Sequence, residues 1–166
     1  MKILGIDTGT TETGWAIYCT STHSITDMGI AENNEMLNII SQKDYDVASL
    51  EMVASYGMAV GKTTFETVYW IGRFAERVEA LKKPVKRYYK KLDINPAICF
   101  KSNVKDAHIR RAILDMFPKD GGGKEPSVGT KNKPGALYGI KSHIYAALAV
   151  ALTHALKEEM IEYKQY

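Results

Sequence analysis

Lys2-Ile3-Leu4-Gly5-Ile6-Asp7-Thr8-Gly9 opens the chain with an apolar run that ends on a carboxylate and a glycine. The run is short and bounded by a turn signal, so it reads as a buried strand. Gly9 and Gly14 punctuate a turn, Gly14–Tyr18 reads as a second strand and Ser24–Ala31 as a third. Together they predict an antiparallel N-terminal meander. Asn33 or Asn34 can cap a helix over Glu35–Gln42, and Asp46–Glu51 is another short strand that ends on a carboxylate.

Working outward, a flexible loop is expected over Ser55–Lys62, with Gly57 and Gly61 in it. Thr63 or Thr64 then opens a long helix to about Leu81, with Phe65, Val68, Tyr69, Gly72, Ala75 and Val78 at helical spacing. Val85–Tyr89 reads as a basic strand and Asp106–Phe117 as an amphipathic helix. Pro118–Pro134 is rich in Gly, Lys and Pro and is expected to be an exposed, mobile loop. A last helix is predicted from about Lys141 to Tyr163. The pattern is an α/β domain over 1–166, with no internal repeat, in which a mixed sheet is flanked by helices.

The 166 residues suffice for one hydrophobic core. A hydrophobic share of 45% and a charged share of 25% are those of an ordinary globular protein. No apolar run reaches the roughly 18–20 residues of a membrane span, and the early Asp7 argues against a secretion signal. Cys19 and Cys99 form no CxxC pair, which leaves no zinc or disulfide framework and points to a reducing cytoplasm.

The net charge of +3 conceals a lopsided distribution. From Lys82 to Arg111 run ten cations, opposed within that stretch only by Asp93 and Asp106. Such a stripe is the electrostatic footprint of a polyanion.

Asp7 and Glu51 each end a strand, and His143 sits in the first turn of the last helix. Strand ends and a covering helix can meet at one crevice. Two carboxylates and a nitrogen donor suit a hard divalent cation, which can activate water and offset the charge developing on a phosphodiester. Each residue alone has a plainer explanation as a turn former, a surface group or a core histidine. The combination is what carries weight.

The stretch Gly5-Ile6-Asp7-Thr8-Gly9-Thr10-Thr11-Glu12-Thr13-Gly14-Trp15-Ala16 resembles the opening strand-turn-strand of the RuvC-type Holliday junction resolvases, members of the RNase H-like superfamily. Leu50-Glu51 resembles their second catalytic carboxylate and the DNA-contacting loop after it. Lys101–Arg111 resembles the lysine-containing start of their basic helix. Gly139-Ile140-Lys141-Ser142-His143, with Ala147–Ala151, resembles their final helix. The likeness runs in order along nearly the whole chain and is closest to short phage-type members.

Two departures stand out. Thr8 replaces the usual Pro, and Ala146 stands where a second ligand of the last helix is common. With Ala146, either fewer protein ligands hold the metal, another carboxylate substitutes, or the chain is an inactivated variant.

The resemblance implies an RNase H-like fold and a Mg²⁺-dependent nuclease, with Mn²⁺ as a substitute, that cuts four-way DNA junctions to 5′-phosphate and 3′-hydroxyl ends. Asp7, Glu51 and His143 would be its catalytic and metal-holding residues. Lys62, Lys101, Lys105, Arg110 and Arg111 would contact phosphates, helped by the Lys119–Lys133 loop, while Tyr56 and Met58 would wedge into unstacked bases. A homodimer is implied, in a bacterial cytoplasm and with a phage gene as one source; the Trp70 side of the long helix is a candidate interface. A broader nuclease for flaps and forks, or a non-catalytic branched-DNA binder, are the alternatives.

Two other motifs lead elsewhere. Asp7–Gly14 also resembles the first phosphate loop of actin-like ATPases and sugar kinases, but those need two such domains around one nucleotide. Gly57-Met-Ala-Val-Gly61-Lys62-Thr63 has three residues between its glycines where a P-loop needs four. No nucleotide cofactor is expected. His154 shares a helical face with His143 but lies roughly 16 Å along the axis, too far to share an ion.

Overall fold

Apolar residues run unbroken along the first strands, and because successive side chains point to opposite faces, both faces of the sheet are buried. The computed structural model describes residues 1–163. Strand β1 (Lys2–Thr8) pairs antiparallel with β2 (Glu12–Cys19), which pairs antiparallel with β3 (Ser24–Glu32). On its other side β1 runs parallel to β4 (Val47–Met52), and β4 runs parallel to β5 (Val85–Tyr89). The five-stranded sheet has the order β3-β2-β1-β4-β5, which is the mixed architecture expected.

One face of the sheet carries Leu4, Ile6, Trp15, Ile17, Ala48 and Leu50 against helices α1 (Asn33–Gln42) and α2 (Lys62–Ala80). The other face carries Ile3, Ala16, Tyr18, Val47 and Tyr88 against α3 (Asn95–Cys99), α4 (Asp106–Met116) and α5 (Ser142–Lys157). Each fully buried Ile or Leu contributes about 1.5–3 kcal/mol, so both layers are held firmly. Among the described residues no helix is long and apolar enough to cross a membrane.

Several expectations need correction. Asn33 is no helix cap but a buried pin: its Oδ1 accepts from Thr13 Oγ1 at 2.7 Å and its Nδ2 donates to the Gly9 carbonyl at 3.1 Å, fixing the β1–β2 turn. The buried face of α2 is Ile71, Phe74, Ala75 and Val78, whereas Phe65, Val68 and Tyr69 are exposed. Helical spacing is the same for both sets, and only the sheet decides which one is covered. The chain after β5 makes a π-helical turn (Lys90–Ile94) and then α3, neither of which was anticipated. Helix α5 stops at Lys157, ahead of Glu159 in the left-handed conformation, where Met160 N–H turns back to the Ala155 carbonyl.

The Pro118–Pro134 segment is not a free loop. Gly121 N–H donates to the Pro126 carbonyl and Gly122 N–H to that of Lys133, each at 2.9 Å, while buried Ser127 donates to the Leu114 carbonyl at 2.7 Å. Arg110 adds a bidentate pair with Glu125 at 2.8 and 2.5 Å. Its glycines allow tight internal turns here rather than mobility.

Candidate active site

Strand register places the first two acidic residues. Ile6 of β1 stands beside Leu50 of β4 in the parallel ladder, with both side chains in the α1–α2 layer. The next residues, Asp7 and Glu51, therefore turn to the opposite face, under α5. Asp7 pairs with Gly14 across the antiparallel ladder and Glu51 with Tyr88 across the parallel one.

Helix α5 reaches this spot because two strand positions lack side chains. A Cβ on Gly5 would lie 2.0 Å from the Ala147 carbonyl oxygen, and one on Gly14 would lie 2.5 Å from that of His143. With the helix so close, His143 Nδ1 meets Asp7 Oδ2 at 2.8 Å. Asp7 is largely buried, with 18% of its side chain exposed, against 60% for His143.

A cavity of about 620 Å³ opens here, lined by Asp7, Glu51, His143 and Ala146 together with two residues that sequence reasoning placed elsewhere, Lys90 and Asp106. Lys90 Nζ lies 2.8 Å from Asp106 Oδ1. Lys90 continues the face of β5 that carries Lys86 and Tyr88, one step past the strand end. That parity was the available signal. Asp106 begins α4, and nothing in the sequence says that this helix start faces the strand ends.

Burial, and then the charge of Asp7, pushes the Glu51 carboxyl up to about 7. Burial raises Asp7 as well, against the opposing hydrogen bond from His143. Burial lowers Lys90, but Asp106, Glu51 and Asp7 outweigh it and hold the ammonium above its ordinary value. Arg110 also lines the cavity but is neutralised by Glu125. Three carboxyl groups thus share the crevice with one ammonium, and a divalent cation there would favour the ionised form of all three.

The donors suit such an ion in kind: hard carboxylate oxygens and an imidazole nitrogen. As placed, no three His, Cys, Asp or Glu side chains among the described residues are close enough to hold one ion together.

Of the residues expected to touch DNA, Arg110 lines this cavity and the others lie outside its lining. A second groove, lined by Tyr56 and Met58, shares Glu51 and Lys90 with the central cavity, so the Ser55–Lys62 loop borders the site. Met58 is 76% exposed, and Lys91 Nζ sits 4.7 Å over the Tyr56 ring. Lys101 and Lys105 are exposed ahead of α4, and Lys62 is exposed at the start of α2 beside Glu66. Arg110 is committed to Glu125, and Arg111 pairs with Asp115 at 3.3 Å.

The basic stripe is thus less cationic than its sequence suggests. Lys86, Arg87, Lys90, Arg110 and Arg111 all find acidic partners, most of them from outside the stripe. His154 is buried and structural, its Nδ1 2.8 Å from Tyr88 Oη.

No family model matches the sequence, and no curated protein matches it. Solved structures do. The chain is similar to RuvC of Thermus thermophilus, with a TM-score of 0.71 and 16% identity over 96% of both chains. It is similar also to T. thermophilus RuvC in complex with its Holliday junction substrate, with a TM-score of 0.69 and 16% identity over 96% of both chains. Agreement of that extent at so low an identity concerns the course of the backbone. The chain therefore has, along nearly its whole length, the RNase H-like fold of RuvC.

Proposed function

We propose that this chain is a divalent-cation-dependent endonuclease for branched DNA, with four-way junctions as its principal substrate. The observation that carries the reading is the convergence of Asp7, Glu51 and His143, from three separate elements, on one acidic cavity at the end of the sheet. That convergence occurs in the fold of a protein whose structure holds a Holliday junction.

Asp7, Glu51 and His143 are the residues that would hold Mg²⁺ or Mn²⁺. The cation would supply Lewis acidity, polarising the phosphodiester and offsetting the charge that builds on it during displacement. Asp7 orients the imidazole through Nδ1, which leaves Nε2 as the nitrogen for a ligand or a proton. Glu51, raised to about 7 by burial, would ionise more readily with a cation beside it. By analogy the products carry 5′-phosphate and 3′-hydroxyl ends.

Lys101 and Lys105, together with Lys62 in its exposed pair with Glu66, would contact phosphates, with Tyr56 and Met58 beside the cavity as the wedge. A junction with two-fold symmetry calls for two sites related by a dyad, hence a homodimer. The exposed Phe65, Val68 and Tyr69, next to Trp70 on α2, offer the apolar surface for it.

A non-catalytic junction binder is the second reading, and Ala146, standing where a second ligand of the last helix is common, favours it. Labelled four-way, three-way, flap and linear DNA, each with Mg²⁺ or EDTA, separates the two. Paired nicks in four-way DNA that appear only with Mg²⁺ support the nuclease. Intact DNA in tight complexes under both conditions supports the binder. Equal cutting of flaps would widen the substrate class.

A further inference from the structure

We infer that Asp106 is a further cation ligand of this cavity, exchanging its partner Lys90 for a divalent ion held jointly with Asp7 and Glu51. The inference rests on the reading that the cavity takes such an ion. It goes beyond that reading by assigning a residue from α4, an element that none of the other proposed ligands belongs to.

Asp106 lines the same cavity as Asp7, Glu51 and His143. Its side chain is 84% exposed, and its ion-pair partner among the described residues is Lys90. An ion pair exposed to that degree is held weakly and is easily broken. Lys90 itself is drawn toward Asp106, Glu51 and Asp7 together. A lysine ammonium is a compact point charge on a flexible stem, so it can occupy the place of a cation and also leave it.

The α5 wall adds the imidazole of His143 but no carboxylate. Ala146 follows His143 by three residues on the cavity side of α5 and carries a methyl group. A hard cation takes oxygen ligands by preference, and its affinity rises with the number of charged ones. Asp7 and Glu51 provide two. Asp106 is the remaining carboxylate of the cavity lining, and its exposure leaves it free to rotate toward them.

The competing role for Asp106 is that of a simple partner to Lys90. Mn²⁺ titrations of the full-length, DNA-free protein, read by electron paramagnetic resonance or calorimetry, separate the two roles. Asp106→Asn is expected to weaken Mn²⁺ binding about tenfold or more. In a Lys90→Met background, where no ammonium competes, Asp106→Asn should weaken it by a similar factor, and Ala146→Asp should recover part of the loss.

An unchanged Mn²⁺ affinity in Asp106→Asn overturns the inference, as does a loss that vanishes in the Lys90→Met background. Unaltered circular dichroism of the metal-free variants guards against misfolding, and Asp106→Ser, which also suits a helix start, serves as the second variant. The underlying reading fails separately, through a wild-type protein that takes up no Mn²⁺ at all. Wild-type protein whose uptake is sensitive to Asp7→Asn but not to Asp106→Asn keeps that reading and loses only this one.

Discussion

The carbonyl oxygen of His143 lies 2.5 Å from where a Cβ on Gly14 would stand. Gly14 is the ladder partner of Asp7, so one strand position decides both how near α5 comes and whether His143 reaches Asp7. A methyl group there must push the first turn of α5 outward. Gly14→Ala is expected to cost about 1–3 kcal/mol through overpacking, and cleavage should fall at least about tenfold, since small displacements of reacting groups are costly. Gly72→Ala, in a helix and with open space around the new methyl, should instead gain about 0.5–1 kcal/mol. Thermal melts and a junction-cutting assay check both.

Asp7→Asn and Glu51→Gln should each abolish cleavage while leaving junction binding in place, because the phosphate contacts lie on other residues. Gel shifts and nicking assays on the same preparations test this. Full activity in either variant removes that residue from the chemistry.

Glu51 also makes stability depend on pH. Its carboxyl is raised from 4.5 in the unfolded chain to about 7 in the folded one. The folded state therefore binds this proton more tightly than the unfolded state does. The metal-free protein gains nothing from Glu51 ionisation and loses stability as pH climbs from about 4.5 to about 7. The loss is complete above that window and is at most roughly 3 kcal/mol. Glu51→Gln should thus be more stable than wild type near pH 8 and close to equal near pH 4. Urea midpoints in EDTA measure it, and added Mn²⁺ should reverse the order near pH 8 by favouring the ionised wild type.

Junction affinity should fall steeply with salt, and Lys62→Ala, Lys101→Ala and Lys105→Ala should each reduce the log–log slope by about one. A slope indifferent to all three would place the phosphate contacts elsewhere.

Arg110→Ala should act differently from those lysines. Its guanidinium already grips Glu125 and ties α4 to the Pro118–Pro134 loop. A double-mutant cycle with Glu125→Ala should show coupling of about 0.5–1 kcal/mol, as expected for a half-exposed bidentate pair. Loss of junction binding without loss of stability would instead count Arg110 among the phosphate contacts.

Most strands were legible in the chain because short apolar runs and turn residues are local properties, as in the run closed by Asp7 and Gly9. Asp7, Glu51 and His143 were legible as well, because each ends or begins an element, and such ends gather at one edge of a sheet. Lys90 and Asp106 were not. Their side chains meet only after a π-helical turn and α3 bring the start of α4 back over the strand ends, and no periodicity encodes that return. The exposed stripe of α2 and the folded Pro118–Pro134 loop were hidden for the same reason. Local pattern states which residues can be covered, and only packing against the sheet selects which of them are.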